Sequence, residues 1–159
     1  MRVLITGAGG FVGRTLTDYL RAELPDAELH GTQHPDHHES LQAGVERHPI
    51  NLCDPAATNA LIGKVRPDHI YHLAGQAFVP RSFEDPWESI ENNVRGQLNL
   101  TLACLVVGIK PRFLIAGSAE IYGAVTTVPI SEAAPLAANI PQATGCATRC
   151  NNPDRKSVV

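Results

Sequence analysis

The chain has 159 residues, 43% of them hydrophobic and 18% charged, with a formal net charge of −3 at neutral pH. This is the make-up of one ordinary globular domain with enough apolar side chains for a core, and the absence of a basic stripe excludes nucleic acid as an expected partner. Met1-Arg2 leads into only three strong apolar residues, so no secretory leader or membrane span is expected, and the default location is cytoplasmic.

The first element is a strand over 2–6 that feeds directly into Thr6-Gly7-Ala8-Gly9-Gly10-Phe11-Val12-Gly13, after which Val12, Leu16, Tyr19 and Leu20 set a helical period over 11–23. Strand, glycine turn and helix start stand in the order that a dinucleotide site requires. Gly7, Gly10 and Gly13 fit the spacing G-x-x-G-x-x-G. Such glycines let the chain turn tightly, let the backbone approach a pyrophosphate and let the helix pack closely on the strand, while the helix start supplies N–H groups and positive potential.

Further strands are expected at 27–32, 46–50, 68–73 and 112–117, and further helices at 55–65 and 86–108. Asp54-Pro55 and Asp85-Pro86 each read as an N-cap followed by a proline in the first turn, and Gly108 reads as the stop of the long helix. The alternation implies βαβ units, a parallel sheet with right-handed crossovers, and a ligand at the carboxyl ends of the strands. The fold class is therefore α/β, doubly wound. From about residue 124 the rhythm is lost: 128–136 reads as a surface loop, and the tail beyond Gln142 has no amphipathic period.

Cys53, Cys104, Cys146 and Cys150 do not make a disulfide framework in a chain of this size, and Cys104 lies in an apolar helical stretch as a small core residue. Cys146 and Cys150 are four apart, but no second pair at metal spacing accompanies them. His34, His37 and His38 crowd a segment with Pro and Asp and read as a solvated loop. No metal site is expected.

With these segments in order, the chain resembles the extended short-chain dehydrogenase/reductase family, the NAD(P)-dependent epimerases and dehydratases of nucleotide sugars. The resemblance covers residues 1–139 and implies a Rossmann-type cofactor-binding domain over that span, followed by an irregular tail at 140–159. It rests on the glycine turn, on Asn51-Leu52-Cys53-Asp54, on His72-Leu73-Ala74-Gly75-Gln76, and on Asn92-Asn93-Val94-Arg95-Gly96-Gln97 within the long helix. The resemblance implies that Thr6, Gly7, Gly10, Phe11, Val12 and Gly13 surround the phosphates and that Asn51 and Leu52 meet the adenine. Asn51 replaces the usual first acid, and an amide oxygen still accepts from an exocyclic amine. Leu73, Ala74, Gly75 and Gln76 would lie along the cofactor, and Asn93 would support the active-site framework. Family members often pair through the long helix, so a homodimer is also implied.

At the end of the fifth strand, Gly117-Ser118-Ala119-Glu120-Ile121-Tyr122-Gly123 matches the family's chemical segment. Ser118 matches a residue that hydrogen-bonds the reacting oxygen of the sugar. Glu120 stands where 4,6-dehydratases carry the carboxylate that abstracts the C5 proton, a task suited to a positioned base. The middle motifs most resemble the GDP-mannose 4,6-dehydratase branch and its sister GDP-4-keto-6-deoxymannose reductases, and Glu120 favours the dehydratase. The implied partner is a GDP-mannose-like nucleotide sugar. Gly31-Thr32-Gln33-His34, at the end of the second strand, offers neither an acid for a ribose diol nor an arginine for a 2′-phosphate, and the missing acid leans the cofactor towards NADP over NAD.

The family's proton donor is a Tyr with a Lys four residues on, two dozen residues beyond Ser118. Here Gln142 and Cys146 stand in those places, and none of Tyr19, Tyr71 and Tyr122 has a Lys four residues later. An amide cannot donate and recover a proton as a phenol does, so catalysis is expected to be impaired in a chain cut short of the family's sugar-nucleotide domain. A shift of reading frame near residue 141 would account for the tail. Two alternatives remain open at this point: an epimerase or reductase, which shares the cofactor residues, and a non-catalytic NAD(P)-binding module.

Overall fold

A computed structural model describes residues 1–36, 40–117, 119–122 and 129–135. The chain forms two compact units, Met1–Ala116 and Gly117–Val159. The tail from residue 136 onward, with Gln142, Cys146 and Cys150, lies outside the described residues, as do His37, His38 and Ser118.

The first unit is built on five parallel strands in the order β3-β2-β1-β4-β5. These are β1 (Arg2–Thr6), β2 (Glu28–Gln33), β3 (Val45–Pro49), β4 (His69–His72) and β5 (Arg112–Ile115). The helices are α1 (Phe11–Glu23), α2 (Pro55–Val65), α3 (Val79–Glu84), α4 (Pro86–Ile90) and α5 (Gly96–Val107), with a π-helical turn at Glu91–Arg95 between the last two.

The alternation of side chains along β1 divides the core in two, because successive residues of a strand face opposite sides of the sheet. Val3 and Ile5 pack with Ala8, Leu20 and Leu29 on the α1 side. Leu4 points the other way, among Ile50, Leu52, Leu61, Ile62, Ile70, Leu100 and Ala103 on the side of α2 and α5. Both faces are covered, which is why the central strand reads as a continuous apolar run. Cys104 belongs to the second of these clusters, as its sequence context implies.

The helix boundaries follow the local chemistry. Asp54 accepts from the amides of Ala56 and Ala57 at the start of α2, and Asp85 accepts from the amide of Glu88 at the start of α4, each followed by a proline that needs no acceptor. Gly108 closes α5 in the left-handed conformation, with φ at +70°.

Two expectations need correction. The helix expected over 86–108 is interrupted by the π-helical turn, which advances the facing residues by one position and sets Asn92 and Asn93 on a wider turn. The segment before it, to which the sequence assigns no element, forms the short helix α3, which lacks a side-chain cap and carries no apolar period of its own. The strand limits differ from expectation by one or two residues at their ends.

From α4 through α5 an apolar stripe faces solvent. Trp87, Ile90, Val94, Leu98, Leu102 and Leu105 recur every three or four residues, and Trp87 is 77% exposed. In the second unit, Ala119–Tyr122 forms a single 3-10 turn. Residues 129–135 are irregular and include a turn in which Ser131 accepts from the amides of Ala133 and Ala134.

Candidate functional site

At the carboxyl ends of the strands in the first unit lies an open cleft of about 870 Å³. Its floor is the glycine turn. Gly7 has φ at +69°, and a Cβ there would lie 2.9 Å from the Ala74 amide nitrogen, so the turn and the chain after β4 stand backbone to backbone. A Cβ on Gly13 would fall 2.3 Å from the Gly7 carbonyl oxygen, which fixes glycine there for a different reason: α1 begins pressed against the end of β1. Gly10 is the N-cap of α1 and brings no capping side chain. Its amide turns back to the Gly7 carbonyl, leaving the first-turn amides of α1 without intrahelical acceptors. That turn holds no carboxylate to compete for them.

Thr6 organises the junction. It is fully buried, its Oγ1 accepts from the amides of Leu73 and Ala74 at 3.1 Å each, and it lies 2.8 Å from Nδ1 of His72. With both lone pairs committed, the hydroxyl proton points at His72, whose Nδ1 is then the bare nitrogen. Burial holds the His72 pKa below the ordinary imidazole value, which agrees with a neutral ring.

The opposite wall comes from Leu73, Ala74, Gly75 and Gln76. Asn93 clamps it from the π-helical turn: Oδ1 accepts from the Gln76 amide at 2.6 Å, and Nδ2 donates to the Gln76 carbonyl at 3.1 Å. A Cβ on Gly75 would lie 2.9 Å from Asn93 Oδ1. The side-chain Oε1 of Gln76 is buried with no partner among the described residues, an acceptor left available to a donor in the cleft.

Asn51 and Leu52 form part of the rim, after β3. Asn51 Oδ1 accepts from the Cys53 amide at 2.9 Å and so shapes the turn into α2. Of the residues expected at the cofactor, Gly7, Gly10, Phe11, Asn51, Leu52 and Leu73 through Gln76 line the cleft. Thr6, Gly13 and Asn93 stand behind it as supports. Val12 is on the exposed first turn of α1. Glu120 lies in the second unit, in the 3-10 turn, and Ser118 is outside the described residues.

The cleft also draws on residues that the sequence did not mark. Asp36 reaches the wall beyond the end of β2, with its amide donating to His34 Nδ1. Arg81, from α3, is held by Glu88 at 2.6 Å and by Glu84 at 3.5 Å, and Glu88 itself lines the cleft. Cys53 lines it too, with Sγ 3.5 Å from the Glu91 carbonyl; burial, with Glu91 adding to it, raises its pKa, so it stays a thiol and not a nucleophile. Asp36 had a sequence signal in its closeness to the β2 end, whereas the positions of Arg81 and Glu88 depend on the unforeseen α3.

The sequence profile of the NAD dependent epimerase/dehydratase family matches residues 3–145. The chain belongs to that family. A UDP-glucose 4-epimerase of Mycolicibacterium smegmatis is 31% identical, over 91% of this chain and 48% of its own length. A GDP-6-deoxy-D-mannose reductase of Pseudomonas aeruginosa is 33% identical, over 82% and 39%. A GDP-mannose 4,6-dehydratase of Vibrio cholerae is 30% identical, over 89% and 42%. Among solved structures, the UDP-glucose 4-epimerase of Thermus thermophilus in complex with NAD superposes with a TM-score of 0.75 at 30% identity, over 95% of this chain and 49% of that one. The chain thus spans about half the length of the epimerase/dehydratase relatives it matches, and its five-stranded sheet is a Rossmann fold of their kind. Among the described residues no helix is long and apolar enough to cross a membrane.

The buried histidines make a stability prediction. His30, His48 and His72 all have pKa values lowered from 6.5, chiefly by burial. The unfolded chain therefore takes up protons near pH 6.5 that the native state refuses, so this stabilisation is whole above about pH 6.5 and declines as pH falls below it. Glu46 and Asp68, whose pKa values are lowered from 4.5 and 3.8, act in a separate and more acid window. The urea midpoint should fall steadily between about pH 7 and 5; a midpoint flat across that range would refute the assignment of neutral buried rings.

Proposed function

We propose that this chain is the cofactor-holding half of an enzyme that rearranges nucleotide sugars, with residues 1–139 as its NAD(P)-binding domain. The observation that carries the reading is the glycine turn at the end of β1, whose helix start opens onto a cleft with an unpartnered buried acceptor in its wall. The first-turn amides of α1 would receive the pyrophosphate, the rim at Asn51 and Leu52 the adenine, and the Leu73–Gln76 wall the nicotinamide half. When bound, the cofactor supplies the reversible removal of a hydride from the sugar. Thr6 and Asn93 act by holding the wall in place.

The lack of an acid in Gly31-Thr32-Gln33-His34 argues for NADP, but the Asp36 carboxylate in the cleft wall argues more strongly against a 2′-phosphate. We therefore take NAD⁺ as the preferred ligand. Ser118 is read as the group that hydrogen-bonds the reacting oxygen and Glu120 as the base of a 4,6-dehydratase; an epimerase shares every cofactor residue and has no use for that base. With Gln142 and Cys146 where the family has Tyr and Lys, the chain itself should turn over slowly or not at all. The apolar stripe of α4 and α5 is read as the seat of a second copy.

Three measurements test these readings. Isothermal titration of the purified chain should show NAD⁺ binding more tightly than NADP⁺, and Gly10→Asp, which places a negative side chain in the phosphate turn, should abolish both; a folded chain that binds neither overturns the cofactor reading. In a chimera joining residues 1–139 to the C-terminal half of a GDP-mannose 4,6-dehydratase, Glu120→Gln should stop elimination while leaving oxidation at C4. Unchanged turnover would remove Glu120 as the base. Sedimentation should give a dimer that the double substitution Leu98→Arg, Leu102→Arg converts to monomer, and a wild-type monomer would dismiss the pairing.

A further inference from the structure

Away from the glycine turn, β2 and β3 carry three potential ligands on neighbouring positions. His30 is paired in register with Glu46, and His48 lies two residues further along β3, so all three project to one side of the sheet. His30 Nδ1 is 3.1 Å from His48 Nε2 and 3.4 Å from Glu46 Oε2, and His48 Nε2 is 3.7 Å from Glu46 Oε1. The ligating atoms of all three lie within 4.8 Å of one another.

We infer that His30, Glu46 and His48 form a second site on this domain, one that takes a divalent transition metal, zinc foremost.

Spacing comes first. Metal–nitrogen distances of about 2.0–2.1 Å at a tetrahedral angle set neighbouring ligand atoms roughly 3.3 Å apart, and the contacts of His30 to its two partners bracket that value. Two imidazoles with one carboxylate form a ligand set that zinc uses where a fourth position stays open. The side chains of His30 and His48 are each 9% exposed, whereas the Glu46 side chain is half exposed, so the site is anchored in the sheet and open on the carboxylate side.

Protonation comes next. Both rings are buried, and a neutral imidazole presents one bare nitrogen to a metal. The proton shared between them moves to the outer nitrogen of its own ring when both facing nitrogens ligate. As a purely structural contact the pair contributes little, since two buried rings share one hydrogen bond and His30 Nε2 has no partner among the described residues.

Lys64 fits this arrangement as a support. Its Nζ is 2.7 Å from Glu46 Oε1, while the other carboxylate oxygen faces His30. One oxygen can then ligate while the other remains hydrogen-bonded, a common outer partner for a ligating carboxylate. The ion would tie β2 to β3 close to the cleft: His48 pairs in register with Thr32, and Thr32, Gln33 and Ile50 all line the cleft wall.

The test is a zinc titration of the purified chain against a chromophoric indicator, with cobalt(II) absorption as a second readout. One zinc per chain should bind, with a tetrahedral cobalt spectrum. Glu46→Gln, at an exposed position, should leave the circular dichroism spectrum unchanged and weaken binding at least about tenfold. His48→Gln should abolish it. Replacing His34, His37 and His38 together by alanine should leave the site in place. Absence of saturable binding, affinity unchanged in Glu46→Gln, or loss of binding with the loop histidines would each overturn the assignment. None of these outcomes depends on whether the cleft binds a nucleotide.

Discussion

The approach of α1 to the end of β1 is the contact on which the rest of the domain depends. No side chain fits between Gly13 and the Gly7–Ala8 backbone, so the helix begins within van der Waals distance of the strand it follows. That nearness points the first-turn amides into the space above the sheet instead of along its face. It also leaves room for the chain after β4 to pass against Gly7, which makes the far wall of the cleft. A residue with a Cβ at either glycine would push helix and wall apart together.

Thr6 extends the same economy of space into the polar groups. A single hydroxyl accepts from two amides after β4 and fixes the tautomer of His72 on the neighbouring strand, so one buried side chain ties the end of β1 to β4 and to the chain that follows it. Asn93 does the equivalent from outside, using both ends of its carboxamide on the backbone of Gln76. The wall of the cleft is thus held by side chains that do not line it. A resemblance in sequence points to such residues without saying whether they touch the ligand.

What could be read from the sequence was whatever is decided within a few residues. The caps at Asp54 and Asp85, the stop at Gly108, the glycine turn and the buried central strand all declare themselves locally, and the parallel order follows from helices inserted between strands. The π-helical turn was hidden because a single extra residue barely disturbs an apolar period, and α3 because six residues are too few to show one. The meeting of His30 with Glu46 and His48 depends on the register of β2 against β3 across a connection, which no local spacing encodes. Histidines crowded in sequence, at 34, 37 and 38, drew attention to a metal question that adjacent strands pose elsewhere.

The charge of the cleft explains why its anion site has to be made of backbone. Arg81 is the only arginine or lysine among the described lining residues, and Glu84 and Glu88 already engage it. Asp36 adds a further negative charge to the wall, so the side chains give no net pull on a phosphate. What remains is the fixed array of amides at the start of α1, whose partial charges do not titrate and whose direction is set by the glycine packing beneath them. An anion held this way is recognised by position more than by charge. The sign of the surrounding surface, slightly negative over the whole chain, is therefore no obstacle to it.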